Sequence, residues 1–176
     1  MTTLLGISGS LRKASTNTML MRNAADIFNA ETFIEGDINL PLYNGDLETA
    51  EGVPASVQLL ADQIAAADAV IIATPEYNKA LSGSLKNALD WVSRTKGGPW
   101  KDKPVAIMSA AAGRAGGERS QFSLRLAMMA FRPNLLQGPE VLVANSGNEF
   151  DENGKLTNAR YVQTLTELMT ELKARI

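Results

Sequence analysis

The stretch Ala69-Val70-Ile71-Ile72-Ala73-Thr74-Pro75-Glu76-Tyr77-Asn78 sets the reading of the whole chain. Its first six residues are apolar or β-branched with no alternation, the pattern of a strand covered on both faces. Pro75 cannot donate to a strand ladder and ends the run. The chain then turns abruptly polar, with an aromatic body carrying a polar tip at Tyr77 and an amide at Asn78. In open parallel sheets, ligands sit beyond the carboxyl ends of such strands, near the point where strand order reverses.

Three other runs read as buried strands of the same kind: Leu4–Ser8, Val105–Ser109 and Val141–Ala144. Thr32–Glu35 is weaker and suits a short edge strand. Helical stripes separate them: Leu20, Ala24, Ile27 and Phe28; Val57, Leu60, Ala61 and Ile64; Leu81, Leu85, Leu89 and Val92; Phe122, Leu126 and Met129; Val162, Leu165, Leu168, Met169 and Leu172. Apolar residues at that spacing face a core. Strand and helix alternate five times, which predicts an α/β doubly wound, five-stranded parallel sheet with helices on both faces. Leu40–Val53 is the longest irregular stretch and is expected to cross the surface near the ligand edge. No repeat, low-complexity tract or linker is visible, so residues 1–176 are expected to form a single domain.

Two absences narrow the chemistry. The chain has no Cys, which excludes disulfides, thiol nucleophiles and iron–sulfur ligation. It has no His, the commonest general base and transition-metal ligand. An enzyme built this way takes its reactive centre from a cofactor. No catalytic side chain and no metal site are therefore singled out. A formal net charge of −2 without a basic stripe argues against nucleic acid. The longest apolar runs are too short to cross a bilayer. Met1-Thr2-Thr3 leads straight into the first strand with no basic leader or cleavage site, so a cytoplasmic protein is expected.

Three polar, small-residue segments leave strands on the ligand edge. Gly9-Ser10-Leu11-Arg12-Lys13-Ala14-Ser15-Thr16-Asn17-Thr18 enters the first helix, where backbone N–H groups, hydroxyls and a guanidinium fork suit a phosphate. It lacks the glycines of a dinucleotide fingerprint and the Gly-Lys-Ser/Thr of a P-loop. A plain capped helix start is the alternative, but one Ser or Asn suffices for that and the cluster exceeds it. Pro75–Asn78 suits the edge of a heteroaromatic ring or, equally, a surface turn. Ser109-Ala110-Ala111-Ala112-Gly113-Arg114-Ala115-Gly116-Gly117 would let backbone approach a flat ligand closely, or would serve as a flexible connection.

In this order and spacing, and together with Leu85-Lys86-Asn87-Ala88-Leu89-Asp90-Trp91, the three segments resemble the NAD(P)H-dependent FMN reductase family of the flavodoxin-like fold. The likeness is nearest to its bacterial quinone- and chromate-reducing branch and runs over nearly the whole chain. It implies strand order 2-1-3-4-5, FMN as cofactor and NADPH or NADH as co-substrate. By resemblance, Ser10, Arg12, Ser15, Asn17 and Thr18 would bind the FMN phosphate. Pro75, Glu76, Tyr77 and Asn78 would flank the isoalloxazine, and Ser109 and the loop through Gly113 would close its other end. The acceptor would be a small molecule: a quinone, azo dye, chromate, ferric complex or free flavin. The resemblance also implies a homodimer or homotetramer; the helical spacing of Leu85–Trp91 itself calls for a structural role, with Leu85 and Leu89 facing the core and Trp91 packing at a subunit contact. A non-enzymatic FMN electron carrier or redox sensor is the alternative, though a charge of −2 gives weak electrostatic steering. Two departures fall where a second substrate would approach: Ser82-Gly83 stands where the family usually has Pro-Gly, and the third segment is alanine-rich. Lys96-Gly97-Gly98-Pro99-Trp100 reads as a turn.

Overall fold

Each apolar run becomes a strand in the computed structural model, which describes residues 1–176. Strands β1 (Thr3–Ser8), β2 (Thr32–Gly36), β3 (Ala69–Ala73) and β4 (Pro104–Ala110) lie in the order β2-β1-β3-β4, all parallel. The fifth position is shared by two short strands, β5 (Asn134–Leu135) and β6 (Val141–Val143), both parallel to β4. The order 2-1-3-4-5 therefore holds, with Leu136–Glu140 interrupting its last strand. The helices are α1 (Thr16–Phe28), α2 (Gly45–Glu51), α3 (Ala55–Ala66), α4 (Gly83–Val92), α5 (Glu118–Met128) and α6 (Ala159–Lys173).

The lack of alternation in the strands has a direct cause. Leu4, Ala69, Ile71, Ala106 and Met108 pack under α1 and α6. Their neighbours Leu5, Ile7, Val70, Ile72, Val105 and Ile107 pack under α3, α4 and α5. Both faces of β1, β3 and β4 are thus inside, and all five residues of β3 are buried, while the edge strand β2 alternates between half-buried and exposed residues. Each large aliphatic side chain buried this way contributes about 1.5–3 kcal/mol. Register aligns the strand ends, pairing Ser8 with Ala73 and Ala110 with Val143, so the polar loops emerge along one edge.

Four sequence expectations need correction. The Phe122, Leu126 and Met129 stripe does not face the core: these residues are 56%, 71% and 71% exposed. Instead α5 turns Ser120, Gln121, Leu124 and Met128 inward. Just past the break in the fifth strand, the buried Val141 carbonyl accepts from the Gln121 amide at 2.9 Å, and the same amide donates to Ser109 Oγ at 2.9 Å. A buried acceptor left without a donor costs about 1–3 kcal/mol, and satisfying it helps hold the amide inward. Apolar periodicity cannot register such a demand.

Trp91 is not a subunit contact. It is buried within its own chain, donates its indole N–H to the Pro41 carbonyl at 2.7 Å, and meets Tyr43 edge-on. That docking also places the 40–53 stretch against α4, with none of it lining the cleft described below, and Gly45–Glu51 within it is helical rather than irregular. Gly97 and Gly98 do make a turn, but Trp100 after them is buried against Phe131. Leu85 and Leu89 lie in the core as expected.

Candidate functional site

Beyond the ends of β1, β3 and β4 lies a cleft of about 560 Å³, ordinary for a small-molecule site. Just before its first lining residue, Ser10, the Gly9 N–H extends the sheet by donating to the Ala73 carbonyl at 2.7 Å. A Cβ at Gly9 would come within 2.9 Å of Pro75, so glycine is what lets the first two loops touch. The Gly9 carbonyl accepts from Ser82 Oγ at 2.5 Å and Ser84 Oγ at 3.1 Å. Ser82 also caps α4 through Leu85 N and is buried. The serine of this departure therefore clamps two loops together, and neither Ser82 nor Gly83 lines the cleft.

At the first loop, Ser15 caps α1 by accepting from Thr18 N. The N–H groups of Thr16 and Asn17 make no hydrogen bond within the protein, and they open at the helix start where anions are favoured. Arg12 lines the cleft, and its exposed guanidinium is in no ion pair. Ser10 lines it too. The Asn17 side chain is committed elsewhere: its Nδ2 donates to the Ala110 carbonyl at 2.8 Å and its Oδ1 accepts from Ala110 N at 2.9 Å. Asn17 thus fastens α1 to the end of β4, leaving its backbone amide toward the cleft. Thr18 Oγ1 is paired with Ser8 Oγ at 2.8 Å, behind the loop, and does not line the cleft.

From the second loop, Pro75, Glu76 and Tyr77 line the cleft. Tyr77 and Ala80 exchange both backbone hydrogen bonds across Asn78 and Lys79, which have φ of 51° and 67°. This two-residue turn lifts Asn78 out of the cleft lining and leaves the Tyr77 ring half exposed at its mouth. Glu76 Oε2 accepts from Arg119 N at 3.1 Å, reaching the start of α5.

The third loop lines the cleft through Ala110, Ala111 and Ala112. Ser109 does not: it is fully buried, donating to the Gly116 carbonyl at 2.7 Å and accepting from Gln121. Gly113 is exposed and lies outside the lining. A fourth wall, missed in the sequence, comes from Ser146, Gly147, Phe150 and Asp151. Its signal was present: Asn145-Ser146-Gly147-Asn148 follows β6 directly and has the same polar, glycine-bearing character as the other loops. Thr16 Oγ1 donates to Ser146 Oγ at 3.2 Å and joins the first wall to the fourth.

One end of the cleft thus suits an anion, with two free amides, an unpaired guanidinium and hydroxyls. The other is a slot between Tyr77 and small alanines, open enough for a flat ring. Of the charged residues that line the cleft, Arg12 stands against Glu76 and Asp151, and Lys13, Lys79 and Arg114 on the surrounding loops are in no ion pair.

Comparison with known proteins gives the same direction. The family model for NADPH-dependent FMN reductase matches residues 2–148. An NAD(P)H-dependent FMN reductase of Pseudomonas aeruginosa is 40% identical over 172 residues, covering 97% of this chain and 92% of the relative. A quinone reductase of Escherichia coli is 37% identical over 166 residues, with 92% and 88% covered. Among solved structures, the flavoenzyme NAD(P)H:(acceptor) oxidoreductase FerB of Paracoccus denitrificans superposes with a TM-score of 0.87 at 30% identity, covering 99% of this chain and 96% of that one.

Proposed function

The chain belongs to the NADPH-dependent FMN reductase family, and from that premise we propose that it oxidises NAD(P)H and reduces a quinone-type acceptor. The observation that carries the reading is the cleft itself, an anion-ready helix start joined to a slot for a flat ring. FMN fits it: the Thr16 and Asn17 amides, Ser10 and Arg12 would hold the phosphate, while Pro75, Tyr77 and Ala110–Ala112 would flank the ring. Bound there, FMN supplies two-electron transfer to a chain that has neither His nor Cys. The protein contributes position and exclusion of water beneath the ring. Similarity to a quinone reductase over most of its length favours a quinone over the other acceptors of this class. No helix is long and apolar enough to cross a membrane, and a cytoplasmic setting is part of the proposal.

The purified protein is expected to be yellow and to release FMN on acid treatment, identified by chromatography. Anaerobic NADPH or NADH should bleach it within seconds, and a benzoquinone should restore the colour. Release of FAD, or no flavin uptake after incubation with FMN, would overturn the cofactor assignment. FMN that no nicotinamide bleaches would instead mark an electron carrier or sensor.

The outward face of α5 supports a homo-oligomer, as a dimer or a dimer of dimers. Phe122, Leu126 and Met129 form an exposed stripe beside a groove of about 410 Å³ that includes Pro133 and Leu135. Glu118 and Arg132 sit at opposite ends of this stripe. A two-fold axis near Leu126 would set each Glu118 toward the Arg132 of a second copy, so the face is complementary to itself. Leu126→Glu should weaken self-association by about 100-fold, because a carboxylate would be buried at the centre of the contact. Sedimentation at micromolar concentration reads this, with FMN affinity unchanged. A wild-type protein that is monomeric at tens of micromolar would exclude the contact.

A further inference from the structure

We infer that Glu76 is a positioning residue: its carboxylate serves as the N-terminal cap of α5 and so sets the spacing of the two cleft walls. The inference rests on reading the cleft as a flavin and nicotinamide site. Helix α5 begins without a cap of its own, because the residue in the cap position is Gly117, which has no side chain and sits at φ 90°. A side-chain cap is not available there, since a Cβ at Gly117 would lie 2.7 Å from Ser109. The carboxylate comes from 43 residues away, with Glu76 Oε2 accepting from Arg119 N at 3.1 Å. A carboxylate at a helix start also meets the positive end of the helix dipole.

The geometry gives this cap a consequence for the cleft. Glu76 stands between Pro75 and Tyr77 in the second loop, and Arg119 is the second residue of α5, into which the third loop leads. On its other side the second loop is held by Ser82, which donates to the Gly9 carbonyl of the first loop. The second loop is therefore fastened to both neighbours, and Glu76 is its side-chain fastening to the third. The Tyr77–Ala80 turn beyond it is closed by its own backbone bonds, with both central residues exposed. Releasing Glu76 would let Tyr77 drift relative to Ala110–Ala112, altering the alignment of any stacked substrate. Misplacement of about 1 Å can slow a reaction about 100-fold.

Glu76→Ala and Glu76→Gln test this by two independent measurements. In the apo-protein, amide exchange at Arg119 should speed up about tenfold or more in Glu76→Ala, while exchange in β3 stays as in the wild type. In the FMN-loaded protein, the rate of flavin bleaching at saturating nicotinamide should fall about tenfold, with the FMN dissociation constant within about threefold of wild type. Glu76→Gln keeps an oxygen for the Arg119 amide and should retain most of both properties. Unchanged exchange in Glu76→Ala overturns the cap. Faster exchange with an unchanged bleaching rate overturns the positioning role. A Gln variant as impaired as Ala in bleaching but normal in exchange would mean that the charge acts on the ring directly, and also overturns it. If the wild type binds no FMN, the functional reading fails, while the exchange measurement still decides the cap.

Discussion

Arg12→Ala should weaken FMN binding by about 10- to 150-fold, the equivalent of a charge-assisted hydrogen bond of about 1.5–3 kcal/mol. Arg12 lines the anion end of the cleft, is exposed, and is engaged in no ion pair that would compete for its guanidinium. The variant should purify pale yet fold normally, because its side chain supports nothing else. The slot beside Tyr77 is formed by other loops, so saturating FMN should restore most of the turnover rate. Arg12→Lys should recover only part of the affinity, since an ammonium keeps the charge and loses the planar fork. Fluorescence titration of the apo-protein, with rates measured at saturation, reads all of this. Unchanged titration curves for both variants would show a solvated loop arginine. Full occupancy with lost turnover would move Arg12 from the phosphate to the nicotinamide or acceptor.

Gly116→Ala should be the most damaging single-methyl change in the site's scaffold, lowering stability by about 3–5 kcal/mol. Two penalties coincide there. Gly116 has φ 60°, a conformation unfavourable to residues with a Cβ, and the added Cβ would lie 2.5 Å from the Leu142 carbonyl carbon and 2.6 Å from its oxygen. Those are backbone atoms of β6, which cannot step aside as a flexible side chain could. The Gly116 carbonyl would also be displaced from the Ser109 hydroxyl that holds it. For a domain of this length the melting temperature should drop by about 6–20 °C. Gly113→Ala is the control: nothing lies within 4 Å of its Cβ position, so the change should stay within about 0.5 kcal/mol. Thermal unfolding of the two variants side by side separates them. Similar melting temperatures would mean that the third loop is looser than its packing implies.

The contrast between these two glycines marks where sequence reading stops. Both stand in one alanine- and glycine-rich segment with nothing local to tell them apart. Only the approach of β6, some 26 residues later, makes one indispensable and the other free. Helix α5 teaches the same point more sharply. Its apolar residues sit at helical spacing, yet the core receives Gln121 because the interrupted fifth strand leaves the Val141 carbonyl in need of a donor. Ser109 and Asn17 carry chemistry suited to a ligand, and the fold uses their side chains to fasten backbone.

What the sequence determined by itself was the layered architecture and the edge on which the site lies. Those follow from local rules: unalternating apolar runs demand cover on both faces, and polar, small-residue segments can only lie where those runs end. The resemblance supplied the strand order and the cofactor class. Tertiary structure alone decided which polar groups of the loops remain free for a ligand, where the fourth wall stands, and which face of α5 is left to solvent. The reason is that hydrogen-bonding capacity is finite. Whether a hydroxyl, amide or carboxylate can serve a ligand depends on whether a distant backbone group has already taken it, and no local pattern records that.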